Sequence, residues 1–281
     1  MNILFTKMLV CGNDYIIADC FAQNLHNAAA FAQRVTKSRV GIGGAELITV
    51  SPCKEADAQI EAYNPNGNTS EYCADGALAA GAYLLLNKTI NGNKATIKTQ
   101  DGIKTVTQNA NNSFSLLVGK AEFTPCKIPL RQRENPIINT MTEIGGGAAY
   151  ITALRLCGAH CVVINSDVSR LNLPFMAPAY AYNSIFQNGV NVEFIQIVNS
   201  TWIKVRTWGR DVGELQGSAS SAAAALAAAL ENKLCTEDKD VKISFGGGDL
   251  ILHSCPQKGI TITGGGKIIF KGEIEEGDSA L

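Results

Sequence analysis

Two nucleophilic side chains stand at matching positions in this 281-residue sequence, Cys73 and Ser218. Each begins a 16-residue segment, 73–88 or 218–233, that is rich in alanine and ends in Asn-Lys. Alanine favours helix, so both segments are predicted to be helices. The N-terminus of a helix presents unpaired N–H groups and positive potential, so it binds carboxylates and lowers the pKa of a cysteine placed there. The sequence therefore predicts two anion-binding helix N-termini, one with a thiol and one with a hydroxyl.

These two helix N-termini indicate a specific reaction. If the two halves of the chain pack with pseudo-twofold symmetry, Cys73 and Ser218 would flank the carbon next to a bound carboxylate. Two groups on opposite faces of an α-carbon can remove its proton and return one to the other side. This arrangement predicts a racemase or epimerase that needs no cofactor.

The elements around the two helices repeat with a period of about 145 residues. In both halves nine residues separate the end of a strand from the start of the helix, Asn64 to Cys73 and Gly209 to Ser218. A hairpin is predicted after each helix, at 96–106 and 241–253. A helix that is small and apolar nearly all round is buried on all sides. We therefore expect two similar halves, each wrapping a sheet around its own helix.

Composition excludes several classes of function. The formal net charge of −1 offers no basic patch, so nucleic acid is not expected as a partner. The N-terminal stretch does not read as a signal peptide, and the alanine run at 222–229 is too short to span a membrane. Nine cysteines at irregular spacing, without a C-x-x-C pair, do not predict a disulfide framework. We expect a cytoplasmic protein that does not bind membranes.

Two other motifs were weighed as ligand sites. Cys157 and Cys161 flank His160, but no second ligand cluster follows, so no metal is predicted and the thiols are expected to be buried. The glycine loop 41–44 lacks the Lys-Ser/Thr of a P-loop and leads into a strand, so it does not predict nucleotide binding.

Short motifs in a fixed order resemble the diaminopimelate epimerase family over nearly the whole chain. They are Lys7-Met8 with Gly12-Asn13-Asp14, Gly41-Ile42-Gly43, Tyr63-Asn64 to Cys73, Gly189-Val190-Asn191-Val192, Arg210 with Val212-Gly213-Glu214, and Gly247-Gly248-Asp249-Leu250 with Thr263-Gly264 to Gly272. The resemblance implies an α+β fold of two pseudo-symmetric halves, each a barrel-like, mostly antiparallel sheet around a central alanine-rich helix. We place these halves at residues 1–120 with 262–281 and at 121–261.

The same resemblance implies the site and the partners. Cys73 matches the first proton-transferring cysteine of the family, Ser218 stands where the second should be, and His160 matches a histidine that supports the first. Substrate contacts carry over to side chains or backbone N–H groups of Asn13, Glu46, Asn64, Ala74, Asp75, Asn191, Arg210, Ala219 and Ser220. No cofactor and no metal are implied. The expected partners are a small amino-acid substrate with a free carboxylate and a second copy of the chain in a homodimer.

This sequence departs from the family at several of these positions. A serine replaces the second cysteine at Ser218, and Gly209 replaces the glutamate that supports that cysteine. Glu46 replaces a glutamine, Asp75 an asparagine in the C-G-N-G motif, and Ala159 belongs to a motif that has lost a substrate-binding asparagine. A hydroxyl is a far weaker acid than a thiol, so Ser218 would need an adjacent base in order to act.

Three functions remain open on the sequence. The first is an amino-acid racemase or epimerase with an altered substrate or reduced activity, in which Cys73 transfers the α-proton and Ser218 or a water serves the other face. The second is a lyase of hydroxy-amino acids, in which Cys73 acts as a single base and a β-hydroxyl leaves. The third is a non-catalytic paralogue that binds an amino acid or serves as a partner subunit.

Overall fold

The computed structural model describes residues 2–70, 73–131 and 135–276, with Cys73 described by its backbone alone. Its contacts divide the chain into two units, residues 1–116 with 264–281 and residues 117–263. The sequence placed these divisions after residue 120 and after residue 261. Each unit contains one long alanine-rich helix, one shorter helix and strands of a 16-stranded sheet, which confirms the expected fold class.

The first unit is a closed barrel of eight strands. Its strand order is β1-β2-β3-β4-β5-β6-β7-β16, and β1 also pairs antiparallel with β16, which closes the sheet. The elements are β1 (Asn2–Val10), β2 (Asn13–Asp19), α1 (Ala28–Val35), β3 (Glu46–Ser51), β4 (Ala58–Tyr63), α2 (Cys73–Leu86), β5 (Lys94–Thr99), β6 (Gly102–Gln108), β7 (Ser113–Gly119) and β16 (Gly259–Glu275). Residues 264–275 of β16 belong to this unit.

The second unit repeats this plan. Its strand order is β8-β9-β10-β11-β12-β14-β15-β16, with β13 paired to β12 and the first residues of β16 at the end. The elements are β8 (Thr140–Ile144), β9 (Gly147–Arg155), β10 (Ala159–Ile164), α3 (Leu173–Ala181), β11 (Asn191–Asn199), β12 (Trp202–Gly209), β13 (Gly213–Leu215), α4 (Ala219–Glu231), β14 (Asp240–Phe245) and β15 (Gly248–Cys255).

The duplication is visible in the strand pairings. In the first unit β2–β3 and β4–β5 are parallel, and in the second β10–β11 and β12–β14 are parallel, while the other assigned pairs are antiparallel. A parallel pair needs a crossover connection, and α2 and α4 supply it in matching places. The hairpins that begin the two repeats also match, since Cys11 and Cys157 both have φ near 53° and both precede a glycine with positive φ.

The two alanine-rich helices are the cores of their units. Helix α2 contacts β1 to β6, and α4 contacts β9 to β12, β14 and β15. All residues of α4 from Ala219 to Ala229 are buried. Small side chains let the surrounding strands approach each helix on every side, so the prediction of centrally buried helices is confirmed.

Several local predictions hold and some elements were missed. Asparagine is a favoured N-cap residue, and Asn27 caps α1 by accepting a hydrogen bond from the Ala30 N–H at 3.0 Å. Cys157 and Cys161 are both buried, as predicted. Helix α3 was not predicted, because Pro174 and Pro178 interrupt its helical pattern. No helix within the described residues is long and apolar enough to cross a membrane.

Candidate active site

The first predicted helix N-terminus lies where the sequence placed it. Helix α2 begins at Cys73, whose side chain falls outside the described residues. Ala74 is fully buried and Asp75, in the first turn, is only 4% exposed. The Tyr15 hydroxyl on β2 donates a hydrogen bond to Oδ1 of Asp75 at 3.4 Å. A carboxylate in the first turn interacts favourably with the helix dipole, which suits Asp75 to this position.

Glu46 lies beside this helix N-terminus. It is the first residue of β3 and pairs in register with Tyr15 of the parallel neighbour β2. The residue is 8% exposed, and burial together with the nearby Asp75 charge raises the pKa of Glu46 to about 8, against a hydrogen bond with Ser70 that lowers it. Among the described residues, Oε2 of Glu46 has no hydrogen-bond partner. Glu46 is therefore predominantly a neutral carboxylic acid at pH 7.

Two further groups belong to this cluster. Burial and the Asp75 charge raise the pKa values of the Cys11 thiol and of the Tyr15 phenol well above their ordinary values. Asn13 is buried and hydrogen-bonds with Tyr15, an interaction that lowers the pKa of that phenol. The cluster thus links the β1–β2 hairpin, β3 and the start of α2.

Asn64 lies in the turn that follows β4. Its side chain is buried, its backbone N–H donates to the Asn68 carbonyl at 2.9 Å, and its carbonyl accepts from the Gly67 N–H at 2.8 Å. These two bonds close a turn at residues 64–68. The turn fixes the backbone that presents Asn64 ahead of helix α2.

The glycine loop is held by a lysine rather than by a phosphate. Lys7 on β1 donates hydrogen bonds to the carbonyls of Gly43 at 2.6 Å and Ile42 at 3.4 Å. The same ammonium forms an ion pair with Asp14 at 2.6 Å. The loop therefore has a structural partner within its own unit.

The second predicted helix N-terminus is capped by Ser218. Its Oγ accepts a hydrogen bond from the Ser221 N–H at 3.2 Å and lies 3.0 Å from Oγ of Ser220. Ser221 in turn is 2.9 Å from the Thr207 hydroxyl on β12. Ser218, Ala219 and Ser220 are all buried. The hydroxyl of Ser218 therefore works as an N-cap, a role that serine performs well.

Asn191 and Arg210 are brought together in the second unit. Oδ1 of Asn191 accepts a hydrogen bond from the Arg210 backbone N–H at 3.0 Å. The guanidinium of Arg210 lies 3.0 Å from Oδ2 of Asp211 and donates to the Asn188 carbonyl at 3.3 Å. The Tyr182 hydroxyl donates to the Arg210 carbonyl. Glu214, which matches the family motif, forms an ion pair with Arg206 at 2.8 Å and has a structural role.

His160 is fully buried on β10, and both of its ring nitrogens contact acceptors of its own unit. Nδ1 lies 2.8 Å from Oε1 of Glu193, and Nε2 lies 3.2 Å from the Leu156 carbonyl. His160 also pairs in register with Asn191 on β11.

The sequence missed Glu193, Tyr15 and Cys11 as members of these clusters. Tyr15 sits two residues after the recognised Asn13, and Glu193 two residues after Asn191. A strand turns alternate side chains to the same face, so a spacing of two was the available signal. Within the described residues, no group of three or more His, Cys, Asp or Glu side chains is placed to hold a metal ion.

Solved structures share this architecture. A PhzF-family phenazine biosynthesis protein of Bacillus anthracis superposes with a TM-score of 0.70 at 12% identity, covering 98% of this chain and 99% of its own. A hydroxyproline epimerase of Agrobacterium vitis superposes with a TM-score of 0.66 at 11% identity, covering 97% of this chain and 92% of its own. The fold is therefore that of the PhzF and proline racemase-like proteins.

The sequence comparison places the chain more narrowly. The family model for diaminopimelate epimerase matches residues 5–124 and 156–269, so the chain belongs to the diaminopimelate epimerase family. Diaminopimelate epimerases of Acetivibrio thermocellus and Leptospira biflexa are each 28% identical to it. These alignments cover 96% and 98% of this chain and 98% and 100% of the relatives, respectively. The resemblance seen in the motifs is confirmed, and the family and its relatives are epimerases.

Proposed function

We propose that this protein is a PLP-independent amino-acid racemase or epimerase that acts by α-proton transfer, with a substrate other than diaminopimelate or with reduced activity. The observation that carries the proposal is the duplicated fold of an epimerase family, in which each unit has a buried alanine-rich helix that begins at or beside a candidate proton-transfer residue. The reaction class comes from the names of the relatives. The changes at Glu46, Asp75 and Ser218 are the reason to expect a different substrate or reduced activity.

In the proposed reaction the substrate carboxylate is bound by backbone N–H groups in the first turn of a helix. Ala74 and Asp75 act in the first unit, and Ala219 and Ser220 act in the second. The N-terminal ends of both helices favour an anion through the helix dipole. Asn13, Asn64, Asn191 and Arg210 are proposed to position the rest of the amino acid.

Cys73 is the proposed proton-transfer group in the first unit. As a thiolate at a helix N-terminus it removes the α-proton, and as a thiol it can return one. His160 is assigned a positioning role, because its ring nitrogens contact Glu193 and Leu156. Ser218 or a water serves the other face of the α-carbon.

A single-base reaction is the second candidate, and one observation favours it. The Ser218 hydroxyl already serves as the N-cap of α4, because it accepts a hydrogen bond from the Ser221 N–H. A lyase needs only one strong base, with Cys73 removing the α-proton while a β-hydroxyl leaves as water. A non-catalytic amino-acid-binding paralogue is the outcome if neither reaction occurs.

Incubation with a panel of L-amino acids in D₂O separates these functions. Exchange of the α-proton with inversion supports the racemase, and keto-acid release from hydroxy-amino acids supports the lyase. Binding without exchange leaves the paralogue. Cys73→Ala should abolish either activity, whereas Cys126→Ala, which removes an exposed thiol, should not. Turnover that survives Cys73→Ala would overturn the assignment of the site.

We also propose a cytoplasmic location and a homodimer. Seven of the described cysteines are free thiols, as a reducing compartment favours, namely Cys11, Cys20, Cys53, Cys126, Cys161, Cys235 and Cys255. Light scattering of the purified protein tests the dimer by its mass.

A further inference from the structure

The first unit contains two buried carboxyl groups close enough to influence each other. Glu46 comes from the start of β3 and Asp75 from the first turn of α2, and both are more than nine-tenths buried. The charge of Asp75 raises the pKa values of Glu46, Tyr15 and Cys11, so all three groups surround this one carboxylate. Two like charges in a buried place repel each other, so the carboxyls of Glu46 and Asp75 do not both ionise, and one proton is retained between them.

The hydrogen bonding of Glu46 is incomplete within the described residues. Glu46 bonds with Ser70, but no donor lies within reach of its Oε2. A buried polar atom without a partner costs free energy, as does a buried carboxyl without a cation. Lys7 does not neutralise the Glu46 carboxyl, because the Lys7 ammonium is held by Asp14 and by the carbonyls of Gly43 and Ile42.

An ammonium group would supply the donor that Oε2 of Glu46 lacks. It carries three N–H donors and no acceptor, and its positive charge compensates two neighbouring carboxylates. A substrate carboxylate at the same place would be repelled. Resting on the amino-acid substrate proposed above, we propose that Glu46 and Asp75 form a subsite for an ammonium group of the substrate, and that Glu46 releases its proton to solvent when this group binds.

The proton balance gives this proposal a measurable consequence. In the free protein Glu46 holds its proton, so the pair carries one negative charge beside Tyr15, Cys11 and Ser70. The arriving ammonium favours the ionised form of Glu46, and the proton passes to the buffer. Affinity for the ammonium should therefore rise with pH up to about 8, where Glu46 ionises without a ligand.

Calorimetric titration at pH 7 in phosphate and in Tris counts the released protons, because these buffers differ in ionisation enthalpy. The probes are L-lysine, L-norleucine, which lacks the side-chain ammonium, and 2-hydroxyhexanoate, which lacks both ammonium groups. Proton release with both amino acids assigns the subsite to the α-ammonium, and release with lysine alone assigns it to a side-chain ammonium. We expect close to one proton per bound ammonium ligand.

Variants identify the group that loses the proton. Glu46→Gln should abolish the proton release and weaken binding of the ammonium ligand about 10- to 100-fold. Asp75→Asn should also lower the number of protons released, because it removes the charge that opposes ionisation of Glu46. Glu237→Gln, at an exposed glutamate of the second unit, is the matched control and should behave as the unaltered chain.

The subsite and the proposed reaction can fail separately. Titrations in the Cys73→Ala background measure binding without turnover, so absence of α-proton exchange would not alter their result. Equal proton counts with the hydroxy acid and the amino acids would overturn the subsite, as would unchanged binding and proton release in Glu46→Gln. Failure of all three probes to bind would overturn it as well.

Discussion

Nδ1 of His160 lies 2.8 Å from Oε1 of Glu193, and neither side chain is exposed to solvent. Nε2 of the same ring lies 3.2 Å from the Leu156 carbonyl. A carbonyl oxygen can only accept, so Nε2 carries a hydrogen. A second proton must then lie between Nδ1 and Oε1 of Glu193, bonded either to the ring or to the carboxyl. The pair ties β10 to β11 and to the turn at residues 157–158, and so positions neighbouring Asn191.

The first prediction concerns this buried pair. His160→Ala leaves the Glu193 carboxyl buried without its partner, and should lower the free energy of unfolding by roughly 3–5 kcal/mol. Glu193→Gln should cost only about 1 kcal/mol, because an amide N–H can still donate to Nδ1 of the neutral ring. Urea unfolding of both variants checks the difference. Equal losses in the two variants would show that an amide cannot replace the carboxyl of Glu193 at this contact.

The features that sequence reasoning predicted well depend on local chemistry or on the repeat. The two alanine-rich helices and the hairpin within residues 96–106 follow from composition and from turn residues. The His160–Glu193 contact joins residues 33 apart, and no local pattern distinguishes it from other buried polar residues. The proton retained on Glu46 could not be predicted from the sequence either. It depends on burial and on the charge of Asp75, which lies in a different element.

The second prediction is a dependence of stability on pH. The pKa of Glu46 is about 8 in the folded chain and about 4.5 when exposed, so between these values the folded state binds the extra proton. Stability contributed by this proton is fully present below the unfolded pKa and is lost as the pH rises towards 8. Glu46→Gln cannot titrate at this position. The free energy of unfolding of this variant, relative to that of the unaltered chain, should therefore grow by roughly 3–5 kcal/mol across this range.

Urea unfolding of both proteins at several pH values between 5 and 9 measures this difference. The gain in free energy of unfolding of Glu46→Gln over the unaltered chain should level off once Glu46 is ionised in the folded state. Parallel curves for the two proteins would show that Glu46 ionises normally in the folded chain. Glu237→Gln serves again as the control, because it removes a carboxyl at an exposed residue.

The third prediction separates the capping role of Ser218 from its chemistry. Ser218→Ala and Ser218→Cys should each lower the free energy of unfolding by about 1 kcal/mol, because neither replaces the oxygen that accepts the Ser221 N–H. If Ser218 occupies the second proton-transfer position, only the cysteine variant should increase α-proton exchange. Measuring exchange in D₂O alongside urea unfolding tests both effects. A gain of exchange in the alanine variant would assign the second proton transfer to water.

The fourth prediction uses Gly189, which has a φ of +71°. A Cβ at this position would lie 2.9 Å from the Ala181 carbonyl and 3.0 Å from Cδ of Arg210. Gly189→Ala should therefore displace Arg210 and weaken amino-acid binding about tenfold, in addition to a backbone cost of about 1–2 kcal/mol. Gly146→Ala is the control, since its φ is +81° and nothing lies within 4 Å of its Cβ. Equal binding by both variants would remove Arg210 from the proposed site.

The fifth prediction tests how closely the barrel encloses α2. An ideal Cβ at Gly81 would lie 2.5 Å from Cβ of Val106 on β6, and Val106 is fully buried. In an exposed helix, glycine to alanine would stabilise by about 1 kcal/mol. Here Gly81→Ala should instead lower the free energy of unfolding by about 1–3 kcal/mol, because the added methyl overpacks the core.

A double-mutant cycle shows whether Val106 is the cause. Val106→Ala alone removes buried methyl groups and should also destabilise the fold. Combined with Gly81→Ala, it makes room for the new methyl, so the double variant should lose less than the two single losses added together. Urea unfolding of the four proteins gives the coupling energy, expected between about 0.5 and 3 kcal/mol. Additive losses would mean that α2 shifts away from β6 and that the barrel holds its helix less tightly than the contact at Gly81 indicates.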